Sequence, residues 1–324
     1  MTVPAVLVQP TRFWNSDDDT ATSSAEAQND NASPLVAEEV FAQQDALLAR
    51  TLRHVAPGTP GVPHLYFVGV APDGEQDVFL KEARYAAHLF DTRFGTAQRS
   101  VILSNNRSSL QELPLASATN LRRTLETIGH RMNHDSDILF LFLTSHGSRD
   151  AELAVQLEDL SFLPLSADSI AAMLRDAGIR WKVIVISACY SGSFIDALKD
   201  DHSMIITAAR ADRTSFGCSD DAEFTYFGRA YLQQALTQTT SFTDAFNIAR
   251  KQVSSWETRE HEEHSDPQIV STPLIEAKLA QWRSTLAPAA ADTARAADTK
   301  ASAGAVRTCS QAQNCANAGS MRAH

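Results

Sequence analysis

The stretch Trp181-Lys-Val-Ile-Val-Ile-Ser187 runs directly into Ala188-Cys189-Tyr190-Ser191-Gly192. Trp181 to Ile186 is strongly apolar, broken only by Lys182, the pattern of a β-strand buried on both faces. Cys189 then stands just beyond the carboxyl end of that strand, followed by small residues, where open α/β sheets expose reactive groups. A second run, Asp137-Ile-Leu-Phe-Leu-Phe-Leu143, ends the same way in Thr144-Ser145-His146-Gly147. Adjacent and parallel, two such strands bring a thiol and an imidazole to one edge of one sheet, the pairing that nucleophilic catalysis requires.

Working outward, strands and helices alternate. His64 to Val70 reads as a buried strand and Gln76 to Phe94 as a helix stopped by Gly95. Ser100 to Leu103 is a short strand, and Asn120 to Met132 a helix with Leu121, Leu125 and Ile128 on one face. Ser166 to Ala177 is a helix ended by Gly178, and Met204 to Thr207 a further strand. Helices are expected over Thr225 to Leu236 and Ser241 to Trp256, the second with a core-facing stripe of Phe242, Phe246, Ala249 and Val253. Leu35 to His54 is an amphipathic helix closed by Pro57, Pro60 and Pro63. Alternation with short connections means a mostly parallel sheet covered on both faces, an α/β/α sandwich. Residues 1–34, with Asp17 to Asp19 among Ser, Thr, Asn and Ala, read as disordered. So does 287–324, where ten of the nineteen residues from Ala287 to Ala305 are alanine and nothing has an apolar period. The folded domain is expected over 35–286, with its core at 64–275.

The net charge of −11 on 324 residues argues against a nucleic-acid partner, which needs a basic footprint. No apolar run approaches the roughly 20 residues of a membrane span, and the N-terminus lacks a basic segment leading into an apolar one. The expectation is a cytoplasmic protein. The four cysteines, Cys189, Cys218, Cys309 and Cys315, are too few for a disulfide framework. Their spacing fits no zinc pattern, and His261-Glu-Glu-His264 has its histidines three apart rather than four, so no metal is expected. Cys218 reads as a packing residue. No phosphate-binding loop, dinucleotide fingerprint or serine nucleophile elbow is present.

A thiol attacks only as thiolate, so Cys189 needs a base, and His146 can supply it and later protonate a leaving amine. The backbone N–H groups of Gly147 and Cys189 are candidate donors to a developing oxyanion. Thr144-Ser145-His146-Gly147-Ser148 and Ser187-Ala188-Cys189-Tyr190-Ser191-Gly192-Ser193 resemble the two signatures of the legumain-type family of caspase-fold cysteine peptidases, over about His64 to Ile275. The resemblance implies a caspase-like α/β/α fold, a Cys189–His146 dyad cleaving a peptide or protein substrate through a thioester, and no cofactor. It also implies that Thr207 to Cys218 flanks the substrate, with Ser215 and Phe216 in contact with it, and that Asp73 orients the histidine.

The chain also departs from that family. Members selecting asparagine carry an acidic residue two positions before the nucleophile and an arginine after the first strand. Here these are Ser187 and the loop Asp73-Gly74-Glu75-Gln76-Asp77. An asparagine preference is therefore not expected. An acidic loop facing the cleft selects Arg or Lys at P1 with Asp77 among the binding residues, whereas Glu75 and Asp77 at a helix start instead complement its dipole. Three activities remain open: an endopeptidase, a transamidase resolving the same thioester with an amine, and a catalytically silent scaffold.

Overall fold

The computed structural model describes residues 37–158, 160–218 and 222–286. The segments 1–34 and 287–324, expected to be disordered, lie outside the described residues. The strands are β1 (Leu65–Ala71), β2 (Ser100–Ser104), β3 (Ile138–Thr144), β4 (Glu152–Leu153), β5 (Gln156–Leu157), β6 (Leu160–Ser161), β7 (Leu165–Ser166), β8 (Trp181–Ser187), β9 (Ser203–Thr207) and β10 (Gln268–Val270). The helices are α1 (Ala37–Arg53), α2 (Asp77–Arg93), α3 (Ala118–Arg131), α4 (Ala167–Asp176), α5 (Ile195–Leu198), α6 (Tyr226–Gly228), α7 (Phe242–Glu260) and α8 (Pro273–Arg283).

One sheet dominates, in the order β10-β9-β8-β3-β1-β2, parallel throughout except for antiparallel β10. The mostly parallel α/β/α architecture expected from the sequence is the one observed. Side chains alternate across a strand, so the unbroken apolar runs feed two cores of different composition. Leu139, Leu141 and Leu143 of β3, with Ile184 and Ile186 of β8, pack on one face against α1, α3 and α4 through Leu48, Leu125 and Ile170. Ile138, Phe140 and Phe142, with Val183 and Val185, face α2, α7 and α8 through Phe90, Phe242 and Trp282. The second core is built on rings: Phe140 lies 4.3 Å from Phe90 and 4.9 Å from Phe242, centroid to centroid.

The chain leaves β1 for β2 at one edge through α2, then returns through α3 to β3 on the opposite side of β1 and continues outward through β8 and β9. Strand order therefore reverses between β1 and β3, and a crevice opens beyond the carboxyl ends of strands at such a switch point. His146 and the Asp73–Asp77 loop leave from the two strands that border it.

Several elements carry no sequence signal. β4 pairs with β7 and β5 with β6 as two-residue ribbons, too short for any period. β10 and α8 were not anticipated either. β10 is only Gln-Ile-Val on a sheet edge, and α8 is set by the Thr272 cap and Pro273 at its first turn. The helix expected over Thr225 to Leu236 is split into α6 and a wider π turn from Arg229 to Ala235. α7 runs to Glu260, one turn beyond Trp256, and ends at His261 in the left-handed conformation (φ 61°). Among the described residues no helix is long and apolar enough to cross a membrane.

Phe140 is fully buried on the central strand. Phe140→Ala is expected to cost about 3–5 kcal/mol of unfolding free energy, the range for an aromatic removed from a packed core. Urea unfolding at unchanged m-value measures it; a loss under about 1 kcal/mol would mean that the ring layer relaxes freely.

Candidate active site

Thr144, the last residue of β3, pairs with Ser187, the last of β8, and the Ser145 N–H donates to the Ser187 carbonyl at 3.3 Å. His146 and Cys189 each lie two residues beyond that pair. The His146 carbonyl accepts the Ala154 N–H at 2.9 Å, and the Ser145 hydroxyl donates to the Ala154 carbonyl at 2.8 Å. The edge of Phe79 meets the His146 ring at 5.2 Å and 85°, which limits its rotation. Gly147 is pressed against the cysteine peptide: a Cβ there would sit 2.2 Å from the Cys189 carbonyl oxygen, so only glycine lets the two turns close together.

After Cys189 the chain turns sharply through Tyr190, left-handed at φ 53°, a conformation costing an L-residue roughly 1–2 kcal/mol. The turn is held from two sides. The Tyr190 N–H donates to the Arg213 carbonyl at 2.8 Å, and the Arg149 guanidinium lies 4.5 Å from the centre of its ring. Cys189 is left at the tip, half-buried. Its Sγ accepts the Ser215 N–H at 3.2 Å and lies 3.4 Å from the Ser215 carbonyl.

Burial pushes the Cys189 thiol above its ordinary pKa, opposed by the Ser215 N–H. Burial likewise holds the His146 imidazole below its ordinary value, opposed by the negative charge of Glu75. Both shifts favour a neutral thiol and a neutral, proton-accepting ring at neutral pH.

The loop after β1 is zipped to the β5 ribbon. Gly74 N–H donates to the Gln156 carbonyl at 3.0 Å and Gln156 N–H to the Pro72 carbonyl at 2.9 Å. Asp73 is buried, and its Oδ1 accepts the Glu75 N–H at 3.0 Å, so it fixes the residue whose carboxylate acts on His146. With its amide turned to donate, Gln156 Nε2 lies 3.1 and 3.2 Å from the Glu75 oxygens. Burial, then the neighbouring Asp73, raise the Glu75 pKa, and His146 lowers it.

The other expected residues separate into two groups. Ser215 meets the thiol through its N–H, while the Phe216 carbonyl accepts the Tyr226 N–H at 2.9 Å. No strand forms between 208 and 218; the segment bends at Ala208 and Ala209, turns at Ala211 and Asp212, and is unpaired in the sheet. Ser187 is buried with its hydroxyl 3.2 Å from that of Thr225, behind the cleft rather than open to it. Asp77 sits in the first turn of α2, where its Oδ1 accepts from the Asn106 side-chain amide at 2.7 Å, so the geometry accounts for it as a helix-start carboxylate.

Cys218 packs against the cluster of Ala71, Val78, Phe79 and Ala83. Burial raises its pKa, as do the charges of Cys189, Glu82 and Asp73, so the packing cysteine of the sequence stands beside the site. His264 of the His-Glu-Glu-His run bonds to the Ser254 and Thr258 hydroxyls at 3.0 and 3.1 Å.

Sequence reasoning missed Glu75 as the group acting on His146, and it missed Gln156, Thr225 and Glu82. Only Glu82 left a signal: it interrupts the apolar face of α2 between Phe79 and Ala86.

Residues 124–278 match the family model of the peptidase C13 family. The match supports a legumain-type cysteine peptidase. The matched residues contain both strand ends and the flanking segment, whereas β1, its acidic loop and α2 precede the match. Among solved structures, caspase-1 from Spodoptera frugiperda is similar at 12% identity and a TM-score of 0.42, over 67% of this chain and 88% of that chain. No curated protein matches.

In this peptidase the His146 ring should titrate below 6.5, and Glu75→Gln should lower its pKa further, because the substitution removes the charge that favours imidazolium. A histidine Cε1 NMR titration measures both. As the unfolded chain binds this proton near 6.5 and the folded one only at lower pH, this group's contribution to stability falls as pH drops through that interval. A pKa that rises in Glu75→Gln would mean that another group sets it.

Proposed function

We propose that the protein is a cysteine endopeptidase in which Cys189 is the nucleophile and His146 the general base. The observation that carries this reading is the Thr144–Ser187 pairing, with both side chains two residues beyond it and the Ser215 N–H on the thiol. His146 takes the Sγ proton as sulfur attacks the scissile carbonyl. The C–S bond forms, the carbonyl oxygen takes up negative charge, and the N–H groups of Gly147 and Cys189 are the donors proposed to meet it. The C–N bond then breaks, the leaving amine takes the proton held by His146, and a thioester remains. Water, deprotonated by the same ring, hydrolyses it and restores the thiol.

An extended peptide fits along Thr214–Gly217. Among the described residues the Phe216 N–H and both backbone groups of Thr214 make no backbone hydrogen bond, which supports strand-like addition of substrate there. Asp73 acts on the histidine through Glu75, as a positioning residue. For P1, Glu75 is exposed on the acidic loop that borders the switch-point crevice, whereas Ser187 is spent on Thr225. That arrangement supports Arg or Lys, with Arg favoured by its bidentate fork.

Cys189→Ala and His146→Ala should each lower turnover by about 10³-fold or more, since members of one catalytic unit each remove most of the catalysis, while Cys218→Ala retains it. Loss in Cys218→Ala with retention in Cys189→Ala would reverse the assignment.

Fluorogenic peptides differing only at P1 should be cleaved faster after Arg than after Asn, by about 10-fold or more for a carboxylate left unpaired by the amide. A preference for Asn would overturn this pocket assignment.

A further inference from the structure

Beneath the two strand ends lies a carboxylate that the proposed hydrolysis does not use. Glu82, in the second turn of α2, is fully buried, and among the described residues its hydrogen-bond partners are all neutral. Its Oε2 accepts from the Thr144 hydroxyl at 2.7 Å. Its Oε1 accepts from both the Thr225 N–H and the Thr225 hydroxyl, each at 2.7 Å. Thr225 Oγ1 in turn accepts the Gly228 N–H at 2.9 Å and lies 3.2 Å from the Ser187 hydroxyl. The Thr225 proton is committed to Glu82, so Ser187 is the donor in that last contact. Every proton in the network points toward the carboxylate, and none is needed from it.

The network joins the parts that must be spaced correctly for reaction. Thr144 ends the strand that carries His146, and Ser187 ends the strand that carries Cys189. Thr225 precedes Tyr226, whose N–H holds the Phe216 carbonyl, one residue from the Ser215 N–H on the thiol. Gly217, at φ 90°, lets that segment double back onto Thr225 and Tyr226, where a Cβ would lie 3.0 Å from the Tyr226 nitrogen. Gly228 is packed so closely on Glu82 that a Cβ would overlap its Oε1 at 1.9 Å, which leaves the carboxylate a single place. A buried carboxylate without a cation is an expensive way to fill space, and an apolar residue would pack there at lower cost if packing were the only need.

We propose that Glu82 is a positioning residue of the peptidase, which holds the Ser215–Phe216 segment against the Cys189 and His146 strand ends so that an extended peptide meets the thiol in register. This rests on the reading of Cys189 as nucleophile. Because the wall binds substrate and transition state alike, its loss shows in KM more than in kcat.

The test uses the full chain with Glu82→Ala, Glu82→Gln and Thr225→Val. Each is assayed with a fluorogenic peptide, with a peptidyl chloromethyl ketone that needs the wall, and with iodoacetamide that does not. Glu82→Ala is expected to raise KM by about 10-fold and slow the peptidyl reagent by about the same factor, with kcat and the iodoacetamide rate at Cys189 within about threefold of the unsubstituted protein. Glu82→Gln keeps an oxygen for Thr225 and should return KM to within about threefold. Thr225→Val, with Glu82 intact, should reproduce the KM rise and carries the test if Glu82→Ala does not fold. An unchanged KM in both Glu82→Ala and Thr225→Val would overturn the proposal. So would equal slowing of both reagents, or a defect that Glu82→Gln leaves in place at an unchanged unfolding midpoint. No labelling of Cys189 in the unsubstituted protein would overturn the nucleophile assignment itself, and this role of Glu82 with it.

Discussion

The parallel pairing of β3 with β8, ending at Thr144 opposite Ser187, sets the spacing of everything chemical in this chain. Parallel strands have no tight turn between them to fix register; burial must do it. Here the two faces of the sheet differ in kind. One presents Leu139, Leu141 and Leu143 to an aliphatic core, and the other presents Phe140 and Phe142 to a layer of rings. A slip of one residue would exchange these faces and put phenyl rings where leucines pack. It would also displace Cys189 from His146 by about 3.3 Å, one strand residue. The composition of the core is thus what holds Cys189 and His146 in register.

Beyond the strand ends, the backbone rather than the side chains does most of the arranging. Gly147 permits two turns to touch where any Cβ would overlap the Cys189 carbonyl. Tyr190 accepts a left-handed conformation because Arg213 and Arg149 hold it on either side. The Ser215 N–H is carried to the sulfur by a segment that belongs to no strand. Such strain persists only where the surroundings over-determine it, and it clusters at functional sites.

Charge around the site is layered. Nearest the ring is Glu75, which favours a proton on His146, while burial disfavours it. Deeper lies Glu82, stripped of water but met by three donors. Burial raises its pKa, and the Thr144 and Thr225 hydrogen bonds oppose that rise. In the proposed mechanism the first carboxylate acts on the proton that moves, and the second is proposed to set where the Ser215–Phe216 segment stands.

The sequence by itself determined the layered α/β architecture, the two strand ends, and Cys189, His146 and Gly147 as the residues to watch. These are local facts: an apolar run of strand length is legible because burial on both faces leaves no room for polar residues, and a reactive group just past it has one place to go. The tertiary structure decided the rest. The charge of Glu75 acts on His146 because the β1 loop is zipped to Gln156, 81 residues beyond Glu75. Asp77 turned to Asn106, Ser187 turned inward to Thr225, and Cys218 came within electrostatic reach of Cys189. Glu82 gathered three elements that lie far apart in the chain. Each of these depends on hydrogen bonds between residues distant in sequence, and such pairings leave no period, spacing or composition along the chain from which they can be read.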